Sequence, residues 1–535
     1  MDLTDIIYSN DYINILIQNY VAQSERYQML FPESSALLTL NPQYSVLFLE
    51  RSLLPENLFG AIPFTGLPKL FTPLSTLSLE VSGIVQTQNL YGGGYTGKNV
   101  IFGFLDTGID YRHPAFLHAN GQSRILAVWD QTDRTGTPPA QFPYGSLYTK
   151  SDLDAALESS DPLSLVPVTD PDGHGTYVAG VAGGTPDASA GFLGVAPEAD
   201  FAVVKLKPAK QNLKDFYLVS SNAPVFEEDD LLSAMHFLNE TAAAEGKPLV
   251  LCLALGTNQG SHSGTLPVSL TLARYGNTPG VIPVCATGNE GNAAHHYYGS
   301  VSETYTPKNV EFLVSEGNRG FTLELWGQAP QLFSVGFRSP GGETIPRIPV
   351  SLNQEQRITF VLERTVIYVN YEVVQATTGS QLILIRMLDP TPGIWTLQVY
   401  RAFPSPPDFH IWLPITGFST SDVTFLEPDP YTTLTTPSAT VPVLSPSTYQ
   451  AANNSFSPES GRGFTRLGEI KPDFAAPGVS GTGRLLCKLQ RFKCVRRHYI
   501  RRRCSFSAMG HPAHSRPLFH GTGGKKLPDP RCRPN

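Results

Sequence analysis

A chain of 535 residues exceeds what one hydrophobic core holds and predicts roughly two to four domains. With 41% hydrophobic and 16% charged residues it is globular, and 45 prolines with 47 glycines predict many turns. No apolar run approaches the ~18 residues of a membrane span, and the start MDLTDIIYSNDYINILIQNY lacks a basic stretch and a small-residue cleavage site, so membrane insertion and a secretory signal are not expected.

The net charge of −7 conceals an asymmetry. From Arg484 to Asn535 there are 14 Lys or Arg against one acid, Asp529, which leaves 25 basic and 45 acidic residues in 1–483. Cys487, Cys494, Cys504 and Cys532 also lie in this tail, whereas Cys252 and Cys285 sit in apolar runs that predict buried thiols. Residues 1–483 therefore read as one design, and 484–535 as an aberrant basic tail.

In chain order, residues 1–80 read as a small N-terminal α/β unit. A short helix is expected over 9–30, then strands Ala36–Leu40 and Tyr44–Leu49 about the turn Asn41-Pro42-Gln43. The Pro-rich segment IPFTGLPKLFTPLSTLS, Ile62 to Ser78, predicts an extended linker or processing site. Next, Val100 to Leu105 is apolar on both faces, as in a buried parallel strand, and stops at Asp106 in DTGID. A carboxylate at the C-terminal edge of such a sheet stands where open α/β folds place their chemistry, or merely caps the next turn.

DPDGHGTYVAGVAGG, 170–184, follows. Val178, Val181 and Ala182 fall at helical spacing, which puts His174 at a helix N-terminus between two glycines. A carboxylate such as Asp106 would fix the tautomer of its imidazole and stabilise the imidazolium. Apolar runs at Phe201–Leu206, Leu249–Gly256 and Val281–Ala286 continue the alternation, with a helix over 228–238 that carries acids in its first turn. This is the pattern of a parallel sheet flanked by helices. The last run ends in ATGNEGN, where Asn289 either donates N–H to an oxyanion or serves as a turn residue.

Taken together these motifs resemble the subtilisin family of serine proteases: DTGID at 106–110, HGTYVAG at 174–180, ATGNEG at 286–291 and KPDFAAPG at 471–478 stand in the family's order. The resemblance implies a subtilisin-like domain over 81–297 and 422–483. In it Asp106 orients His174, His174 is the general base and Asn289 stabilises the oxyanion. Leu253, Ala254, Leu255 and Gly256 line the strand along which substrate peptide adds. It also implies a protein or peptide substrate, and a prodomain over 1–80 that chaperones folding and inhibits. No cofactor is required; structural calcium is common in the family, but no loop here can be named for it.

Residues 308–418 change character, with about eight runs that alternate apolar and polar, such as FTLELWG, VIYVNYEVV and IWTLQVY, separated by Gly and Pro turns. They predict an inserted antiparallel β-sandwich of jelly-roll type over 298–421. This architecture resembles the Csp-type subtilases of spore-forming clostridia, which process a cortex-lytic enzyme during germination, and implies a spore-associated protein.

One departure from the family is decisive for activity. After KPDFAAPG the chain runs GVSGTGRLLCKLQRFKCVRRHYIRRRCSFSAMG, with Gly483 where Gly-Thr-Ser would place the nucleophile. Neither Ser480, Ser505 nor Ser507 has the motif, and Arg501–Arg503 cannot enter a buried helix. Three readings stand. The tail is an out-of-frame translation of a normal C-terminus, since Arg runs are what GC-rich Ala, Gly and Ser codons give when shifted. Or the chain is a pseudoprotease acting as scaffold or regulator. Or the basic tail binds nucleic acid, which its cysteines, without CxxC spacing, do not support.

Overall fold

The computed structural model describes residues 2–19, 35–55, 58, 62–73, 95–187, 192–220, 222–351, 355–403, 408–450 and 453–479. Expectations placed on 74–94 and on residues from 480 onward, the basic tail included, lie outside the described residues.

Helix α1 (Leu3–Tyr8) is followed by strand β1 (Tyr12–Gln18), where a helix is expected from the sequence. Ile13, Ile15 and Ile17 repeat at period two, and their branched Cβ atoms suit a strand. The strand pairs antiparallel with β3 (Tyr44–Glu50), from Tyr12 opposite Glu50 to Gln18 opposite Tyr44. With β2 (Ser35–Asn41) it makes a three-stranded sheet in the order β1-β3-β2. Asn41 closes the β2–β3 turn: its Oδ1 accepts from the N–H of Gln43 at 2.8 Å and of Tyr44 at 3.0 Å. The next strand, β4 (Leu70–Pro73), leaves this unit and pairs elsewhere.

The central sheet is built from β5 (Ile101–Asp106), β6 (Ile125–Asp130), β7 (Ser146–Thr149), β8 (Asp200–Lys205), β10 (Leu249–Leu253) and β12 (Val281–Cys285), in the order β12-β10-β5-β8-β6-β7. Every pair is parallel except β6 with β7. Helices α2 (Lys150–Glu158), α3 (Pro162–Leu165), α4 (His174–Gly183), α5 (Gln211–Tyr217), α6 (Glu228–Ala244) and α7 (Pro267–Gly276) connect them, with the short strands β9 (Phe226–Glu227) and β11 (Leu255–Gly256) between. This is the expected subtilisin-like α/β arrangement.

The two faces of the sheet are covered unequally. Leu249, Leu251, Leu253 and Cys285 share a core with Leu231 and Leu238 of α6 and Val268 and Leu272 of α7. On the other face Phe104, Phe201 and Val203 pack with Ala179 of α4 and Leu153 of α2. Toward β10 and β12 that second face opens: Phe102, Val250, Cys252 and Val284 are half-buried and Ile282 is 49% exposed. The strands carry apolar residues for two covered faces, and at this end one is open.

An inserted pair of antiparallel sheets follows. Its strands are β13 (His296–Ser300), β14 (Lys308–Val314), β15 (Gly320–Gly327), β16 (Phe333–Arg338), β17 (Thr344–Ile348), β18 (Gln356–Thr359), β19 (Val366–Glu372), β20 (Gln381–Leu388), β21 (Gly393–Arg401), β22 (Asp408–Trp412) and β23 (Val423–Phe425). One sheet runs β13-β22-β15-β20-β19-β18 and the other β17-β16-β21-β14-β23. Their inner faces share a core of Phe312, Phe321, Leu325, Phe337, Ile385, Trp395 and Ile411, among others. β14 pairs with β21 in one sheet and β15 with β20 in the other, while β16–β17 and β18–β19 are local hairpins. The chain then forms β24 (Pro446–Gln450), β25 (Ser455–Phe456) and β26 (Phe474–Val479). Leu444, just before β24, bridges in parallel to Val284 of β12.

Candidate active site

Asp106 ends β5 at the C-terminal edge of the sheet and is 1% exposed. His174 is the first residue of α4, after Gly173 in the left-handed conformation at φ 86°. The two meet: His174 Nδ1 lies 2.7 Å from Asp106 Oδ1. The same oxygen accepts the Thr107 N–H at 2.7 Å, so the carboxylate is oriented from both sides. The imidazole is 12% exposed, which leaves it reachable.

Two glycines permit this approach. A Cβ on Gly175 would fall 2.2 Å from the Gly108 carbonyl oxygen and 3.0 Å from Cβ of Asp106, and one on Gly108, at φ 136°, 2.5 Å from the Thr169 carbonyl oxygen. Asp170, quoted within the His motif but given no role from sequence, organises the rest. Its Oδ1 accepts from Gly173 N–H at 2.8 Å and Thr107 Oγ1 at 2.9 Å, and its Oδ2 from Thr176 N–H at 2.9 Å and Oγ1 at 2.6 Å. A buried carboxylate at the N-terminus of α4 thus ties the helix start to the strand end that bears Asp106.

Asn289 lies in the turn after β12, on the same edge of the sheet, and is exposed. Gly288 beside it has φ 87°, and a Cβ there would meet the Thr435 side chain at 2.4 Å. Glu290, which sequence reasoning passed over, anchors this turn. It accepts from Asn258 Nδ2 at 2.9 Å, Thr416 Oγ1 at 2.7 Å and Thr416 N–H at 3.2 Å, and pairs with His295 Nδ1 at 2.6 Å. Burial pushes its carboxyl up, but the bonds from His295, Thr416 and Asn258 outweigh it and hold it below the usual range.

Leu253 ends β10, and Leu253, Ala254, Leu255 and Gly256 are all buried. The edge they offer is taken by β4, antiparallel, with Leu255 opposite Pro73 and Gly256 opposite Thr72. On its other side β4 pairs with β9, Leu70 opposite Glu227 and Phe71 opposite Phe226. The order β11-β4-β9 places a peptide of this chain as the middle strand. Phe474 to Gly478 of the KPDFAAPG segment lie in β26, which runs parallel to β24.

Glu227, Asp229 and Asp230 are buried with carboxylate oxygens within 4.8 Å of one another, close enough to share a cation. That place is filled by the chain's own donors. Asn14 Nδ2 bonds Glu227 at 2.9 Å and Asp229 at 2.6 Å, and Lys207 Nζ lies 2.6 Å from Asp230.

The parallel sheet thus brings an Asp-oriented His and the Asn289 turn to one edge, beside a short strand that pairs with a segment of the same chain. Comparison places the chain: the model of the subtilase family matches residues 97–504, and the chain belongs to that family. It is 24% identical over 266 residues to the major intracellular serine protease of Bacillus subtilis, covering 50% of this chain and 65% of that one. With the subtilisin-like protease PopC of Myxococcus xanthus it shares 27% over 229 residues, 41% of this chain and 39% of that one. The chain thus spans less than two thirds of these relatives. Among solved structures it is similar to the CspB protease of Clostridium perfringens, at 31% identity and a TM-score of 0.64, over 74% of this chain and 78% of that one.

Proposed function

We propose that this chain is a Csp-type subtilisin-like endopeptidase whose C-terminal nucleophile segment has been replaced by an out-of-frame tail, so that it is catalytically silent as written. The Asp106–His174 bond of 2.7 Å carries the first half of this reading. A carboxylate in that position fixes the tautomer that leaves Nε2 to take a proton from a serine hydroxyl. In a chain with the nucleophile, the hydroxyl would attack a peptide carbonyl and Asn289 would donate to the oxyanion. Water would then hydrolyse the acyl-enzyme. The second half is supported by the open end of the sheet, where Val250, Cys252, Ile282 and Val284 offer an apolar seat of the kind a further helix covers.

The N-terminal unit is read as a prodomain, because its strand β4 occupies the edge Leu255–Gly256 that substrate would use. Self-cleavage then falls C-terminal to Pro73. The resemblance to Csp-type enzymes makes the protein spore-associated and its substrate another protein. Loss of the triad serine costs about 10⁶ in turnover, so the chain as written keeps no useful peptidase activity. A fluorophosphonate probe tests the reading together with the nucleotide sequence. The frame-corrected chain should label, the chain as written should not, and labelling by neither makes it a pseudoprotease.

A further inference from the structure

Helix α6 runs into β10 and α7 into β12, so both helices end at the edge of the central sheet opposite the one that carries Asp106. There the turn between β2 and β3 lies beside them and borders a cavity of about 200 Å³. Its walls come from Asn41 and Pro42 of the turn, Glu240 of α6, and Thr271, Arg274 and Tyr275 of α7. Pockets for drug-sized ligands start at about 300 Å³, so an occupant here is a small molecule.

Two of the lining side chains carry unspent hydrogen-bonding capacity. Asn41 is 3% exposed, and its amide cannot be turned round because Oδ1 already accepts from the N–H of Gln43 and Tyr44. Its Nδ2 is left as a donor without an acceptor. Thr271 is 2% exposed, and its hydroxyl has no partner either, not even the Pro267 carbonyl one turn back. Buried polar groups without partners are rare in folded chains, and two that border one cavity ask for a ligand with oxygen acceptors.

The charges around the cavity set its preference. Glu240, the acid among the lining residues, is engaged on its own helix, 3.4 Å from Asn239 Nδ2 and 4.0 Å from His236 Nδ1. The carbonyls that end α7 are capped as well: Arg274's accepts from Thr278 Oγ1 and Ala273's from Asn277 Nδ2, each at 2.9 Å. Arg274 is exposed and forms no ion pair with a described residue. Its guanidinium is therefore the charge left to a ligand, while Tyr275 and Pro42 supply apolar wall.

We propose that this cavity is a binding site for a small organic carboxylate with an apolar body. Asn41 Nδ2 and the Thr271 hydroxyl donate to its oxygens, Arg274 supplies the countercharge, and the body lies against Tyr275 and Pro42. The site stands at the far edge of the sheet from Asp106 and His174, and none of its residues takes part in peptide hydrolysis, so it holds whether or not the chain is a peptidase.

Calorimetric titration of the full chain with benzoate, benzamide and benzylamine tests this, since the three share an aromatic body and differ in charge. Benzoate should bind, benzamide about tenfold more weakly, and benzylamine not at all. Arg274→Gln changes an exposed side chain and leaves the core alone; it should weaken benzoate about tenfold. Thr271→Val keeps the shape and removes the hydroxyl, so it should weaken benzoate too, while the unliganded variant is no less stable than the parent because an unpartnered donor has gone. Absence of benzoate binding in the millimolar range, which would leave the cavity to water alone, would overturn the proposal. So would equal binding of the three probes, or benzoate binding left unchanged by either substitution.

Discussion

Three histidines stacked about one tryptophan should make part of this protein's stability acid-sensitive. The ring of His262 lies 4.0 Å from that of Trp412 at 7°, His296 at 4.8 Å and His410 at 5.3 Å. Burial pushes His262 and His296 down to about 4, and burial with the neighbouring His296, Arg466 and His262 pushes His410 down to about 2. An unfolded histidine titrates near about 6.5. The folded values lie below that, so the unfolded state binds more protons and stability falls as pH drops below about 6.5. At about 1.4 kcal/mol per pH unit for each histidine, three of them cost about 6 kcal/mol between pH 6.5 and 5.

Five buried or half-buried acids, Glu228, Asp229, Asp230, Glu324 and Glu372, oppose this. Burial raises Glu324 to about 7 and Asp230 to about 6, and carboxyls raised in the folded state gain stability as pH falls. Between pH 7 and 5 Glu324 alone returns about 3 kcal/mol. Glu324→Gln, which keeps an acceptor for Gly260 and Trp326 but cannot titrate, should therefore lose about 3 kcal/mol more than the parent between pH 7 and 5. Urea unfolding followed by tryptophan fluorescence at pH 7, 6 and 5 measures both. A variant whose stability runs parallel to the parent's across this range would refute the assignment.

The remaining predictions concern the site and the open face. Gly175→Ala should push α4 away from Asp106, since its Cβ has only 2.2 Å to the Gly108 oxygen; a loss of about 1–3 kcal/mol in denaturant unfolding is expected. Asp170→Ala leaves Thr176 and Gly173 donors without their acceptor and should cost about 2–4 kcal/mol, whereas Asp170→Asn should recover part of it. Covering the apolar face at Val250, Cys252 and Ile282 buries several hundred Å², worth on the order of 10 kcal/mol. The chain as written should therefore melt lower and bind the dye ANS, and a frame-corrected chain should not; equal dye binding by both would argue against a missing helix.

What could be read from sequence was local. Asp106 and His174 could be placed because a two-face apolar strand and a 3.6-residue period each end at a single polar residue, and the structure bonds the two directly. Tyr12–Gln18 was misleading because its period of two extends over one short strand, and its partner, β3, lies about thirty residues on. Asp170 and Glu290 escaped notice for another reason: a buried carboxylate is defined by the donors around it, and Thr107, Thr416 and Asn258 converge from distant parts of the chain. The same holds for β4, whose Leu-Phe-Thr-Pro gives no sign of pairing with Leu255–Gly256.

The ends of the insert bear on how the chain assembles. Ala294 accepts from the Phe425 N–H at 3.0 Å and His295 from the Leu413 N–H at 2.9 Å, so the sandwich enters and leaves the catalytic domain at one point. Val284 and Leu444, which bridge at the β12 edge of the central sheet, are separated by the whole of that insert. Each doubling of an open loop adds about 0.6 kcal/mol to its closure, and a sandwich folded first removes most of that length at once. The cost of bringing Leu444 back to β12 is thus set by the short gap between the joined ends of the insert and not by its full length.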